Sequence, residues 1–283
     1  MKKVGMVLEG GAMRGMYTAG VLDVMLDNNI NIDGIVGVSA GALFGGNYFS
    51  KQKGRVIEYN KKYCKDLRYI SKLSYLLTGN IVNKNFAYYK ITKKLVPFDN
   101  ETFKKNNKGF VATVTNVETG KPEYFEINDV INDMEILRAT SAMPFASKII
   151  KINNNKYLDG GISDSIPYDK CKSLGYDKII VILTQPFDYR KKPLSKEKIS
   201  LVKSKYKKYP KLIDVMINRY NVYNSSVEKI IDLEKKKEIF VIRPSKQINI
   251  DIIERNPDKL QSVYDLGVSD AKKVIKKLIN YLK

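Results

Sequence analysis

Within its first fifty residues the chain twice runs through a short apolar stretch, breaks on glycine and passes directly into a helical pattern. Residues 3–8 form the first stretch, Gly10 to Gly15 the break, and residues 16–26 carry apolar side chains at helical spacing until Asn28 and Asn29 stop them. Residues 32–38 form the second stretch, which ends at Ser39 and gives way to a helix of small residues running to about Ser50. Short continuous apolar runs bounded by glycine read as strands buried on both faces. The order strand, loop, helix, strand, turn, helix predicts an α/β fold with a mostly parallel central sheet.

The second break reads Gly37-Val38-Ser39-Ala40-Gly41. Glycines on either side of a serine permit the sharp strand-to-helix turn that lifts a hydroxyl above a sheet. Five-residue matches of this kind arise by chance; the strand before and the helix after are what give this one weight. The chain has no histidine, so it contains no Ser-His-Asp triad, no Cys-His pair and no His-ligated zinc. A base for Ser39 must then come from Asp, Glu, Lys or Tyr. Asp159 is the best placed by sequence, at the end of an expected strand and before Gly160 and Gly161, which let the backbone turn tightly. An aspartate of ordinary pKa, about 3.9, is a poor base, and an apolar pocket raises it. The bland alternative for Asp-Gly-Gly is an Asx-type turn.

Acyl transfer to a serine creates an oxyanion that needs donors already aimed at it. The run Gly10-Gly11-Ala12-Met13-Arg14-Gly15 opens a helix and so exposes several backbone N–H groups at its positive end. Rival uses of the loop fit less well. A P-loop needs Gly-Lys-Ser/Thr, whereas Met16 and Tyr17 follow Gly15, and a dinucleotide fingerprint wants glycine where Ala12 stands.

Farther along, residues 51–100 interleave lysines and arginines with Tyr59, Tyr63, Tyr69 and Tyr75, and read as a basic helical insertion, about 51–105, that lines or covers the site or forms a solvated layer with its tyrosines inward. Residues 109–117 and 124–125 read as a hairpin, as do 148–152 and 156–158. Asp129 is expected to cap a helix through Ala142, ended by Pro144. A short helix to Gly175 and a buried strand at 178–183 follow. Residues 188–211, with ten Lys or Arg against two acids, read as an exposed loop. An amphipathic helix from Leu212, a strand at 238–242 and a closing helix at 258–282 complete the chain. With no repeat and no Gly/Ser linker, residues 1–283 read as one domain with a C-terminal helical part, about 188–283.

Gly-Gly-Ala-Met-Arg-Gly, Gly-Val-Ser-Ala-Gly and Asp-Gly-Gly, in that order, resemble the three signatures of the patatin-like phospholipases, and the likeness is to the small bacterial members over about residues 4–185. The resemblance implies a three-layer α/β/α fold and a lipid acyl hydrolase with a Ser–Asp dyad, free of metal and cofactor. It assigns Ser39 as nucleophile and Asp159 as general base. It places the oxyanion donors at the N–H groups of Gly11, Ala12 and Met13, with Ala40 alongside. Gly10, Gly15, Gly37, Gly41, Gly160 and Gly161 then serve as motif supports, and Arg14 holds the loop or pairs with a lipid phosphate, the first role being preferred. Ala12 departs from the family's usual triple glycine.

A formal charge of +20 favours anionic partners, including an acidic membrane surface. Residues 188–211, with Tyr189, Tyr206 and Tyr209 among the lysines, are the candidate peripheral face. No apolar run reaches membrane-spanning length, the N-terminus reads as unprocessed, and Cys64 and Cys171 lie far apart as expected of buried thiols in the cytoplasm. The partner expected is a lipid or acyl-ester substrate. The alternatives are an esterase or thioesterase on soluble acyl substrates with the same dyad, and a basic nucleic-acid-binding protein, for which no motif is present.

Overall fold

A computed structural model describes residues 2–283. The elements in chain order are β1 (Val4–Leu8), α1 (Gly15–Asp27), β2 (Gly34–Val38), α2 (Ala40–Phe49), α3 (Arg55–Tyr63), α4 (Lys72–Thr78), a π-helical stretch (Lys84–Leu95) and α5 (Asn100–Asn106). After them come β3 (Gly109–Asn116), β4 (Pro122–Glu126), α6 (Met134–Thr140), β5 (Ile150–Ile152), β6 (Asn155–Asp159), α7 (Tyr168–Ser173) and β7 (Lys178–Ile182). The chain closes with α8 (Lys196–Lys205), α9 (Pro210–Lys235), β8 (Phe240–Ile242) and α10 (Pro257–Leu282).

The strands form one mixed sheet in the order β5-β6-β3-β2-β1-β7-β8, with β4 also pairing β3. Strands β3, β2, β1, β7 and β8 run parallel, with β8 at the edge, and β6 and β4 run antiparallel to β3. Alternation along β1 explains why both faces are covered. Met6 and Leu8 join the core shared with α1, α2 and α10, while Val7 joins Val36, Val111 and Val181 against α7 and α9. Helices therefore pack on both faces of the sheet, which is the three-layer α/β/α arrangement. The closing helix is part of the main core, because Leu260, Ala271 and Leu278 bury their side chains with those of α1.

Two local expectations need correction. The helix expected from Asp129 starts only at Met134, with Asp133 as its N-cap, and ends at Thr140. Asp129 instead caps a tight turn, its Oδ1 accepting the N–H groups of Ile131 and Asn132 at 2.9 Å each. An Asx turn and a helix cap use the same side-chain acceptor, and two nearby aspartates make the assignment ambiguous in sequence. The basic stretch at 188–211 is not simply a loop, since Lys196–Lys205 is helical with Ser195 capping its first turn. Val202 and Tyr206 bury one side of that helix, so its tyrosine serves the core and its lysines face water. Tyr189 and Tyr209 are likewise partly buried rather than displayed.

Candidate active site

Strand register brings Ser39 and Asp159 together. Leu8 stands opposite Gly37, so two steps farther Gly10 comes level with Ser39. Val38 stands opposite Thr113, so Ser39 comes level with Val114, which pairs with Asp159. The serine and the aspartate thus lie on either side of one strand, roughly 10 Å apart along the backbone at the usual spacing of about 4.8 Å per strand. Both side chains border one chamber, and the Ser39 hydroxyl is among the groups that lower the Asp159 pKa. Both residues are buried, 6% and 7% exposed.

Ser39 occupies a strained turn, with φ 52° and ψ −123°, a sparsely populated positive-φ conformation that costs a non-glycine residue about 1–3 kcal/mol. Close packing holds it there. A Cβ on Gly37 would fall 2.7 Å from the Ala42 Cα, and one on Gly41 would fall 2.5 Å from the Leu8 carbonyl oxygen. The serine N–H donates to Thr140 Oγ1 at 2.9 Å, and that hydroxyl donates to the Thr113 carbonyl at 2.5 Å.

On the other side of Ser39 lies the glycine loop, which enters α1 through a 3-10 turn over Ala12–Arg14. Among the described residues the N–H groups of Gly10 and Gly11 meet no acceptor, and the first N–H groups of a helical turn have none within the turn. Ala12 takes φ 48°, so the alanine occupies a backbone position suited to glycine. Its N–H remains a donor. The guanidinium of Arg14 makes no side-chain hydrogen bond to the loop; its Nε is buried without a partner, so the loop-holding role has no such bond behind it. Gly160 and Gly161 begin a second 3-10 turn, whose Gly161 N–H donates to Asp159 Oδ1 at 2.8 Å.

Burial raises the Asp159 pKa above the ordinary carboxylate value, while the Ser39 hydroxyl, the Arg219 charge, the Gly161 N–H and Lys191 pull it part of the way back. Glu9, at the end of β1, is also buried, but both its oxygens are taken: Thr184 N–H donates to one at 2.6 Å and the Tyr223 hydroxyl to the other at 2.9 Å. Sequence reasoning missed Thr140, Glu9, Lys191 and Arg219. Glu9 was readable only as an acid inside an apolar run, and Lys191 only as one of many lysines. Among the described residues no group of three His, Cys, Asp or Glu side chains is placed to hold a metal ion.

Two chambers meet at Ser39. One, of about 120 Å³, is apolar and runs between α2 and the insertion, lined by Leu43, Phe44, Tyr69, Ile91, Phe98 and Phe110 among others. The other, of about 610 Å³, has apolar walls that include Phe145, Leu194 and Met216, and carries the charged side chains of Asp159, Arg14, Lys191 and Arg219. Ala12, Ser39, Met143 and Ile252 border both.

The sequence model of the patatin-like phospholipases matches residues 6–171, more than half of the chain. The chain belongs to the patatin-like phospholipase family. This patatin-like domain carries the glycine loop, Ser39 and Asp159, and a second model, a domain of unknown function (DUF6363), matches residues 209–283. The uncharacterized protein YjjU of Escherichia coli K12 is 29% identical over 189 residues, which are 65% of this chain and 52% of that protein. The probable lipid hydrolase 463L of Invertebrate iridescent virus 6 is 26% identical, with 83% of this chain and 89% of the viral protein aligned. Lysophospholipase NTE1 of Meyerozyma guilliermondii is 25% identical over 63% of this chain and 12% of its own length. The patatin-like chain thus spans about half of the first of these proteins and a small part of the third. VipD from Legionella pneumophila superposes on 98% of this chain and 67% of its own at a TM-score of 0.48 and 12% identity.

Proposed function

We propose that the chain hydrolyses acyl esters of lipids, with Ser39 as nucleophile and Asp159 as general base. The observation that carries this reading is the buried Asp159 carboxylate sharing one chamber with the Ser39 hydroxyl on its strained turn, beside unpaired loop N–H groups. Asp159 takes the Ser39 proton as Oγ attacks the ester carbonyl. The N–H groups of Gly11, Ala12 and Met13, with Ala40 at the start of α2, receive the oxyanion, each such donor contributing about 10²–10³ in rate. Collapse expels the alcohol, which takes the proton back from Asp159. Water, deprotonated by the same carboxylate, then releases the fatty acid and restores the serine. A raised pKa suits this task, because it brings the base nearer to neutral pH.

The apolar chamber supports a fatty acyl chain over a small acyl group, since its walls are aliphatic and aromatic. The lipid hydrolase and lysophospholipase among the relatives point the same way. A bilayer approach is supported by the surface around the mouth. Leu76 and Leu77 on α4 are 80% and 77% exposed. Next to them the Ile81 N–H donates to the Ala146 carbonyl at 2.8 Å, which ties this segment to the chamber rim that bears Phe145. Exposed lysines of α8 flank the same rim, each contributing roughly 1 kcal/mol near an anionic surface. No helix among the described residues is long and apolar enough to cross a membrane.

The test is hydrolysis of a nitrophenyl fatty ester by the wild type, Ser39→Ala and Asp159→Asn. Each variant should lose about 10³-fold or more in kcat. Near-wild-type turnover by either folded variant ends its assignment.

A further inference from the structure

The larger chamber holds more positive charge than its own acids neutralise. It is bordered by Arg14, Lys191, Lys198 and Arg219 against Glu9 and Asp159, four cations to two carboxylates. Glu9 has both oxygens occupied by Thr184 and Tyr223, and Asp159 accepts the Gly161 N–H through one of its own. Among the described residues none of the four cations lies within 4 Å of a carboxylate oxygen.

Two of them are fixed in place. Lys191 exchanges backbone hydrogen bonds with the Asn224 side chain at 2.8 and 3.0 Å, and its Nζ lies 3.8 Å from the centre of the Tyr223 ring. Among the described residues Arg219 spends only its Nε, on the Gly161 carbonyl at 2.5 Å, which leaves the outer N–H groups of its fork without a hydrogen-bond partner there. Both residues come from the chain beyond the patatin-like match, yet they border the chamber that opens at Ser39.

From this placement we infer that the cationic cluster of the larger chamber is a headgroup subsite selecting acyl lipids whose phosphate carries net negative charge, over zwitterionic ones. The inference rests on the acyl-hydrolase reading of Ser39. A phosphate fits the free guanidinium fork of Arg219 bidentately, and Lys191 adds a point charge. A choline or ethanolamine group is disfavoured here by four cations, with the Tyr223 face covered by Lys191 and both Glu9 oxygens engaged, which leaves it the exposed Phe145 ring at the rim as aromatic contact.

Lys191 supplies an independent signature. Burial, Arg219 and Arg14 lower its pKa to about 8, against the opposing pull of Glu9 and Asp159. Those groups and the Tyr189 and Tyr223 rings are what face it from β1, the glycine loop, β6, α9 and its own segment. A bound phosphate favours the ammonium form, so headgroup preference must fade as pH rises through about 8.

The experiment compares two lysophospholipids with one acyl chain, differing only as phosphoglycerol or phosphocholine, both diluted in uncharged detergent micelles. Nitrophenyl butyrate reports the chemistry without a headgroup. We expect the wild type to favour phosphoglycerol at least tenfold in kcat/KM. Lys191→Gln should reduce that ratio to near one. Lys191→Arg should keep the ratio and abolish its decline near pH 8. In parallel, calorimetric titration should show glycerol 3-phosphate binding the wild type and binding Lys191→Gln at least tenfold more weakly.

Equal rates on both lipids with nitrophenyl butyrate still cleaved overturn the subsite and leave the hydrolase. No hydrolysis of any ester, with glycerol 3-phosphate still bound through Lys191, overturns the hydrolase and leaves an anion site. Inorganic phosphate binding as tightly as glycerol 3-phosphate, without headgroup preference, marks a free-phosphate site and overturns the lipid assignment.

Discussion

Thr140 holds the N–H of Ser39 at 2.9 Å while its own hydroxyl proton goes to Thr113 of the neighbouring strand. The strained serine turn is therefore braced from α6 by one fully buried side chain. Thr140→Val has the same shape and no acceptor, so it leaves a buried N–H unpaired and should cost about 1–3 kcal/mol of stability. A lowered melting midpoint together with reduced kcat is expected, and Thr140→Ser should retain both. Unchanged melting and turnover in Thr140→Val would show that the brace is idle.

For Asp159 the pH dependence has a definite sign. Its folded pKa is raised, chiefly by burial. Above that value the folded protein carries a buried carboxylate it would rather protonate; below the unfolded value, about 3.9, both states are protonated and the penalty is gone. Asp159→Asn should therefore melt higher than wild type near pH 7, with the gain shrinking as pH falls through the folded pKa. In the wild type the acidic limb of kcat/KM should lie above the ordinary carboxylate range. Melting curves from pH 3 to 8 and a rate profile check both.

Gly46 borders the apolar chamber from the middle of α2, and a Cβ there would meet the rings of Phe98 and Phe110 at 3.6–3.7 Å, ordinary contact. Gly46→Ala should stabilise the helix by about 0.5–1 kcal/mol. Gly46→Leu should shorten the chamber. Each methylene denied burial is worth about 0.8 kcal/mol, or about fourfold in kcat/KM, so chain-length preference should move to shorter esters. A nitrophenyl ester series from four to sixteen carbons measures the shift.

Leu76 and Leu77 contribute almost nothing to folding, being 80% and 77% exposed. Replacing both by serine should leave melting within about 0.5 kcal/mol and lower the fraction that floats with vesicles about tenfold or more, by the loss of two inserted side chains. Equal flotation would show that α4 stays out of the bilayer.

The sequence by itself determined the strands β1 and β2, the loop between Gly10 and Gly15, the turn at Ser39 and the strand end at Asp159. Each rests on local rules: apolar run length, glycine where backbones come close, and a helix that follows at once. The missing histidine likewise narrowed the choice of base before any coordinates. Tertiary structure alone decided the rest. Register across β3 set Ser39 level with Asp159, and no local pattern states which antiparallel strand pairs where. Thr140, Glu9, Lys191 and Arg219 reach the site from distant segments, and nothing in their neighbours' composition marks them. The basic stretch shows the same limit. Its charge was plain, but whether Tyr206 faced lipid or core depended on a helix docking through Val202, which is a matter of packing.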